Sequence, residues 1–197
     1  MDLLSVSARN DLIRLNEPKE WSFTGETGVV IMAPASADFF CDPASTHVRH
    51  SVPFLSKEIR GDFQLTTKTS VDMVAQFDSS CLMLRLDAEN WAKLCFEFDG
   101  SDASIVSVVT RNGLSDDCNH CVIDAREIYL RITKVGKVIS MFFSQDDVHW
   151  KLMRYFGFEI PNSFQLGIVA QSPIGSGTQA RFSYLDLAEP PVQGRFG

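Results

Sequence analysis

No run in this chain approaches 18 apolar residues, so no transmembrane helix is expected. No long segment repeats its apolar residues at 3.6-residue spacing, which excludes helical bundles and alternating α/β folds. No stretch rich in Pro, Gly or Ser divides the chain, and no repeat of 20–50 residues is visible. Basic residues are the scarcer sign: 18 Lys and Arg face 25 Asp and Glu, a net charge of −7. That balance argues against nucleic acid or an anionic membrane as partner. The first residues, Met1-Asp2-Leu3-Leu4-Ser5-Val6-Ser7-Ala8-Arg9, lack the basic and apolar regions of a secretory signal. The five cysteines, an odd number, suit a reduced, cytoplasmic protein. A G-x-S-x-G elbow, an H-E-x-x-H helix and a phosphate loop are all missing; Ile174-Gly175-Ser176-Gly177-Thr178 lacks the lysine and reads as a hairpin loop. No cofactor is called for.

What the chain does carry is strand signal. Val29–Met32, Asp62–Val71, Cys81–Asp87, Lys93–Asp99, Ser104–Thr110, Tyr129–Thr133, Val138–Ser144, Trp150–Tyr155, Gln165–Gln171 and Ala180–Leu187 are short runs, mostly of period two, separated by turn residues. Parts of Ala8–Leu15 and a turn near Asp124–Glu127 are the only helix candidates. The expectation is an all-β sandwich over residues 1–197, with a core from about 20 to 188 and a tail from Glu189-Pro190-Pro191-Val192-Gln193-Gly194. At 197 residues, one domain buries roughly 70% of its extended-chain surface and needs no metal or disulfide.

Alternation also sorts faces. Leu82, Leu84, Leu86, Leu94, Phe96 and Phe98 share one face, which is core; Arg85, Asp87, Lys93 and Glu97 share the other. That mixed-sign face reads either as a solvated surface of cross-strand pairs or as a site for a polar, roughly neutral ligand. Trp91 and Trp150 are the ligand-platform candidates, since sugars stack their C–H faces on aromatic rings. Glu97-Phe98-Asp99-Gly100-Ser101-Asp102 makes Glu97 the one catalytic candidate, with Asp99 two residues on as a second carboxyl. The Asp99-Gly100 turn takes Asp102 off the strand. Cys118-Asn119-His120-Cys121 is a single C-x-x-C, read as a reduced loop pair; Cys41, His47 and His50 would complete a metal site only through the fold. Calcium at Ser115-Asp116-Asp117 or Asp146-Asp147 would need more converging oxygens.

Several phrases stand in a recognisable order: Ala37-Asp38-Phe39-Phe40, Phe77-Asp78-Ser79-Ser80-Cys81-Leu82-Met83-Leu84, Asn90-Trp91-Ala92-Lys93-Leu94-Cys95-Phe96-Glu97, Leu130-Arg131-Ile132, Ser144-Gln145-Asp146 with Trp150, and Gly167-Ile168-Val169-Ala170-Gln171-Ser172-Pro173. Over about residues 20–188 this set resembles the concanavalin A-like family of domains of unknown function, which includes fungal proteins named for regulating enolase. The chain departs from the family phrases at Phe40, Ser80-Cys81, Cys95 and Asp147. The resemblance implies a jelly-roll sandwich of two antiparallel sheets, one with a concave face. It implies a non-catalytic binding or regulatory protein with enolase as partner. The alternative is a carbohydrate-binding protein or glycoside hydrolase, whose ligand Arg85, Asp87, Trp91, Lys93, Glu97, Arg131, Trp150 and Gln171 would meet on the concave sheet.

Overall fold

A computed structural model describes residues 1–161 and 163–191. The last part of the expected tail, from Val192, lies outside the described residues. The fold is the all-β jelly-roll sandwich. A seven-stranded antiparallel sheet runs, edge to edge, β1 (Ile13–Leu15), β6 (Phe54–Ile59), β15 (Phe164–Gln171), β8 (Ser79–Arg85), β9 (Trp91–Phe98), β10 (Ala103–Arg111) and β11 (Leu114–Val122). The facing sheet runs β14 (Lys151–Gly157), β13 (Val138–Ser144), β12 (Ile128–Val135), β7 (Phe63–Val71), β16 (Gly177–Phe182), β3 (Gly28–Pro34) and β2 (Glu20–Thr24), and β17 (Asp186–Ala188) adds to β7. A small hairpin, β4 (Phe39–Cys41) with β5 (Val48–His50), belongs to neither.

The period-two pattern explains the layering. Leu82, Leu84, Leu94, Phe96, Ile105, Val109, Leu166 and Ile168 point from the seven-stranded sheet into one buried cluster with Ile31, Phe63, Leu65, Leu130, Ile132, Met141, Phe143 and Phe182 of the other. Burying a side chain of this kind is worth about 1.5–3 kcal/mol, so the cluster dominates folding. Gly167 sits where β15 passes β6, and a Cβ there would stand 2.0 Å from the Leu55 carbonyl oxygen, so backbone proximity accounts for the residue.

Some sequence expectations are corrected. Ala8–Leu15 yields only a one-turn 3₁₀ segment, Arg9–Asp11, before β1. The C-x-x-C lies within strand β11 rather than in a loop. Ala180–Leu187 divides into β16 and β17. Among the described residues no helix is long and apolar enough to cross a membrane.

Candidate ligand pocket at one end of the seven-stranded sheet

The second face of the seven-stranded sheet, turned away from the other sheet, is largely closed. Cys81, Met83, Trp91, Cys95, Val106, Val108 and Val169 point outward from β8, β9, β10 and β15. Residues 37–54, which include the β4–β5 hairpin, fold across them. Ala37, Phe39, Cys41 and Val52 of this segment, with Phe54 at the start of β6, complete a second buried apolar cluster. The Phe39 ring meets Trp91 edge-on, with centroids 4.9 Å apart. Polar contacts fasten the flap at several points. The Cys41 N–H donates to Ser115 Oγ (3.0 Å), the Asn16 amide donates to the carbonyls of His50 (2.6 Å) and Val52 (3.0 Å), and the Ser172 N–H donates to the Ala37 carbonyl (3.0 Å).

Beyond the start of this flap the face opens into a pocket of about 200 Å³. Its polar lining is Asp38, Lys93, Glu97, Asp117 and Gln171; Phe40, Phe77, Val106, Val108 and Pro173 supply apolar walls. Lys93 and Glu97 reach it from alternate positions of β9, so strand geometry alone puts both on this face. Lys93 is 2% exposed and Glu97 8%, an unusual degree of burial for these residue types. The Lys93 ammonium donates to Gln171 Oε1 (2.8 Å) and stands 4.0 Å from Asp38 Oδ1. Gln171 is thereby oriented: its amide nitrogen faces Glu97 Oε2 (3.4 Å) and the Phe77 carbonyl (3.5 Å). Burial pushes the Glu97 carboxyl up to about 8, the Lys93 charge opposing it. For Lys93, burial alone would favour the neutral amine, but Cys95, Asp38, Cys81 and Glu97 together outweigh it and raise its pKa. At neutral pH the floor therefore carries a Lys93–Asp38 ion pair and a protonated Glu97, with the Asp117 carboxyl on the wall beside them.

The wall at Phe77 is built under strain. Its φ of +70° is a left-handed conformation that bulky side chains rarely adopt, at a typical cost of about 1–3 kcal/mol. The Phe77 N–H donates to the Phe98 carbonyl (2.7 Å). The buried Asp78 carboxylate accepts from the N–H groups of Val74 (3.2 Å) and Ala75 (2.9 Å) and from Ser172 Oγ (2.6 Å). This net holds the 72–78 loop against the 172–177 loop.

The eight residues expected to converge do so only in part. Lys93, Glu97 and Gln171 meet in the pocket. Trp91 shares their face but is fully buried beneath Phe39, so its ring offers no open surface. Arg85 lies at the far end of the same face, donating to Gln165 Oε1 (2.8 Å). Asp87 is taken up by its own turn, accepting from the N–H groups of Glu89 and Asn90 (2.8 Å each). Arg131 and Trp150 belong to the other sheet's side, where the guanidinium stacks 3.5 Å from the indole centroid. Asp99, the possible second carboxyl beside Glu97, accepts from Ser101 and Asp102 N–H (2.8 Å each) in its exposed turn. Asp38, Phe40, Phe77, Asp117 and Pro173 were not anticipated as lining residues. Asp38 and Phe40 belong to the flap, and only the fold brings a flap over a sheet. Asp117 could have been reached by placing the Leu114–Val122 run beside Ser104–Thr110.

Comparison with known proteins agrees with this architecture. The model of the family described as "Protein of unknown function (DUF1349)" matches residues 14–190. The chain is 29% identical over 178 residues to "Regulation of enolase protein 1" of Saccharomyces cerevisiae, covering 89% of this chain and 88% of that one. A crystal structure of a functionally unknown protein from Saccharomyces cerevisiae is similar at TM-score 0.84 and 27% identity, covering 91% of this chain and 96% of the other. More distant likenesses show the fold alone. The GH43 protein BlXynB of Bacillus licheniformis gives TM-score 0.70 at 13% identity, with 90% of this chain covering 36% of that one. The metal-free lectin I-B4 of Griffonia simplicifolia gives 0.61 at 11%, with 95% and 98% covered.

Proposed function

This chain belongs to the DUF1349 family, and from that premise we propose that it is a non-catalytic cytoplasmic binding protein that acts through the end pocket and regulates a glycolytic enzyme. The name of the yeast relative supports enolase as that enzyme. The observation that carries the binding reading is the Lys93–Gln171–Glu97 cluster, buried at the floor of an open pocket beside Asp38. A pocket of about 200 Å³ is smaller than the ~300–1,000 Å³ of drug-sized sites and suits one small ligand. Asp99 is held in its own turn by the Ser101 and Asp102 N–H groups and does not line the pocket, so the Glu97–Asp99 pair has no support as a hydrolytic dyad.

A carbohydrate ligand is favoured by the lining itself. A vicinal diol accepts from Lys93 while donating to Asp38, and apolar walls at Phe40, Phe77 and Pro173 suit the C–H face of a sugar ring. The flap leaves room for a single unit rather than a chain laid across the sheet.

Two experiments test this. Calorimetry with glucose, mannose, galactose, xylose and arabinose is expected to give one-to-one binding of at least one sugar, weakened tenfold or more in Lys93→Met. Absence of binding by all five would remove the carbohydrate ligand. Purified enolase is expected to co-elute with the protein, and separate elution at micromolar concentrations would remove the regulatory part.

A further inference from the structure

Directly behind the pocket floor, two cysteines face each other. The register of β8 against β9 pairs Cys81 with Cys95, and both side chains point to the flap-covered face. Directly opposed residues of antiparallel strands have Cα atoms about 4.5 or 5.5 Å apart. Both spacings fall within the roughly 4.4–6.8 Å that a disulfide spans. The two thiols interact with each other, and Cys81 Sγ also donates to Ser79 Oγ at 3.5 Å. Both are free and fully buried. On β9, Cys95 lies between Lys93 and Glu97, and its other neighbour across the ladder is Val106; all three line the pocket. The pair is therefore flanked on β9 and β10 by residues that line the pocket, which is the side from which a small oxidant would reach it.

We propose that Cys81 and Cys95 are a redox modification site, closing reversibly into a cross-strand disulfide behind the ligand pocket. Hydrogen peroxide is the oxidant. One thiolate attacks the peroxide O–O bond, forming a sulfenic acid and releasing hydroxide, which takes up the thiol's proton as water. The second thiol then attacks the sulfenic sulfur, the S–S bond forms and a second water leaves. Two thiols are oxidised and one peroxide is reduced to two waters. Lys93 assists the first step. Burial disfavours the Cys81 thiolate, but the Cys95 thiol and the Lys93 charge outweigh it and lower the Cys81 pKa. A pair of this kind in a reducing compartment serves as a sensor rather than as a staple.

Mass spectrometry of the folded wild-type chain tests the site. Protein is treated with hydrogen peroxide, alkylated and digested with trypsin. The expected product links Thr69–Arg85, which holds Cys81, to Leu94–Arg111, which holds Cys95, and dithiothreitol releases it. A Cys118→Ser/Cys121→Ser variant, altered only on the edge strand β11, should give the same product. The proposal is overturned if Cys81 and Cys95 remain fully alkylated after peroxide while Cys118 or Cys121 is oxidised. A link from either one to Cys41 also overturns it.

Discussion

Replacing Glu97 with glutamine should make the protein more stable at pH 8.5 and leave it nearly unchanged at pH 4.5. Glu97 is buried, and its carboxyl titrates near 8 in the folded protein against about 4.3 in an unfolded chain. Between those values the native state binds one proton that the unfolded state has released. Stability therefore falls as pH rises, by about 1.4 kcal/mol per unit, and levels off above the folded value. The whole window is worth about 5 kcal/mol. Below about pH 4.3 both states are protonated and the contribution is fully present. Lys93, Asp117 and the Cys81 thiol face the same carboxyl and add their own slopes, so the quantity to follow is the difference between wild type and Glu97→Gln. Urea unfolding at half-unit pH steps measures it. If Glu97 were instead an ionised partner of Lys93, the variant would be the less stable protein at neutral pH and the gap would close in acid.

Trp91→Ala should cost about 3–5 kcal/mol, the usual range for removing a fully buried indole. For a chain of this size each kcal/mol moves the thermal midpoint by about 2–4 °C, so a fall on the order of 10 °C is expected. The loss should centre on the flap. Phe39 would keep no ring beneath it, and the 37–54 segment should become the preferred site of limited proteolysis. Calorimetric melting and a trypsin time course check both parts. An unchanged melting temperature together with lost sugar binding would mean that Trp91 is an open platform after all.

These two residues also show how far the sequence reaches. The alternation that placed Leu82, Leu84, Leu94 and Phe96 in the core also placed Lys93 and Glu97 on the opposite face, and both statements hold in the fold. The same alternation put Trp91, Cys95, Cys81 and Met83 on that face, a composition too apolar to be left in water. Their cover, Phe39 and Cys41 of β4 with Val52 just past β5, lies some forty residues upstream, and these two strands have three residues each, too short for a periodic signal. The edge strand β11 was missed for a different reason. Its Ser115-Asp116-Asp117 run is polar because one side of the strand has no partner. Without β11, Asp117 cannot be placed beside Val108 and the pocket loses a wall residue. Arg131 and Trp150 do meet, as a stacked pair, but strand order puts them on the other sheet, and strand order is not written in local pattern.

The central claim is that a closed sheet face leaves one pocket end to hold a small polar ligand. A two-dimensional amide NMR titration with whichever sugar binds by calorimetry tests it most directly. Shifts should concentrate at Asp38, Phe77, Lys93, Glu97, Asp117 and Gln171, with little change at Arg85, Arg131 or Trp150. Shifts centred on Arg131 and Trp150, with the pocket amides unmoved, would contradict it.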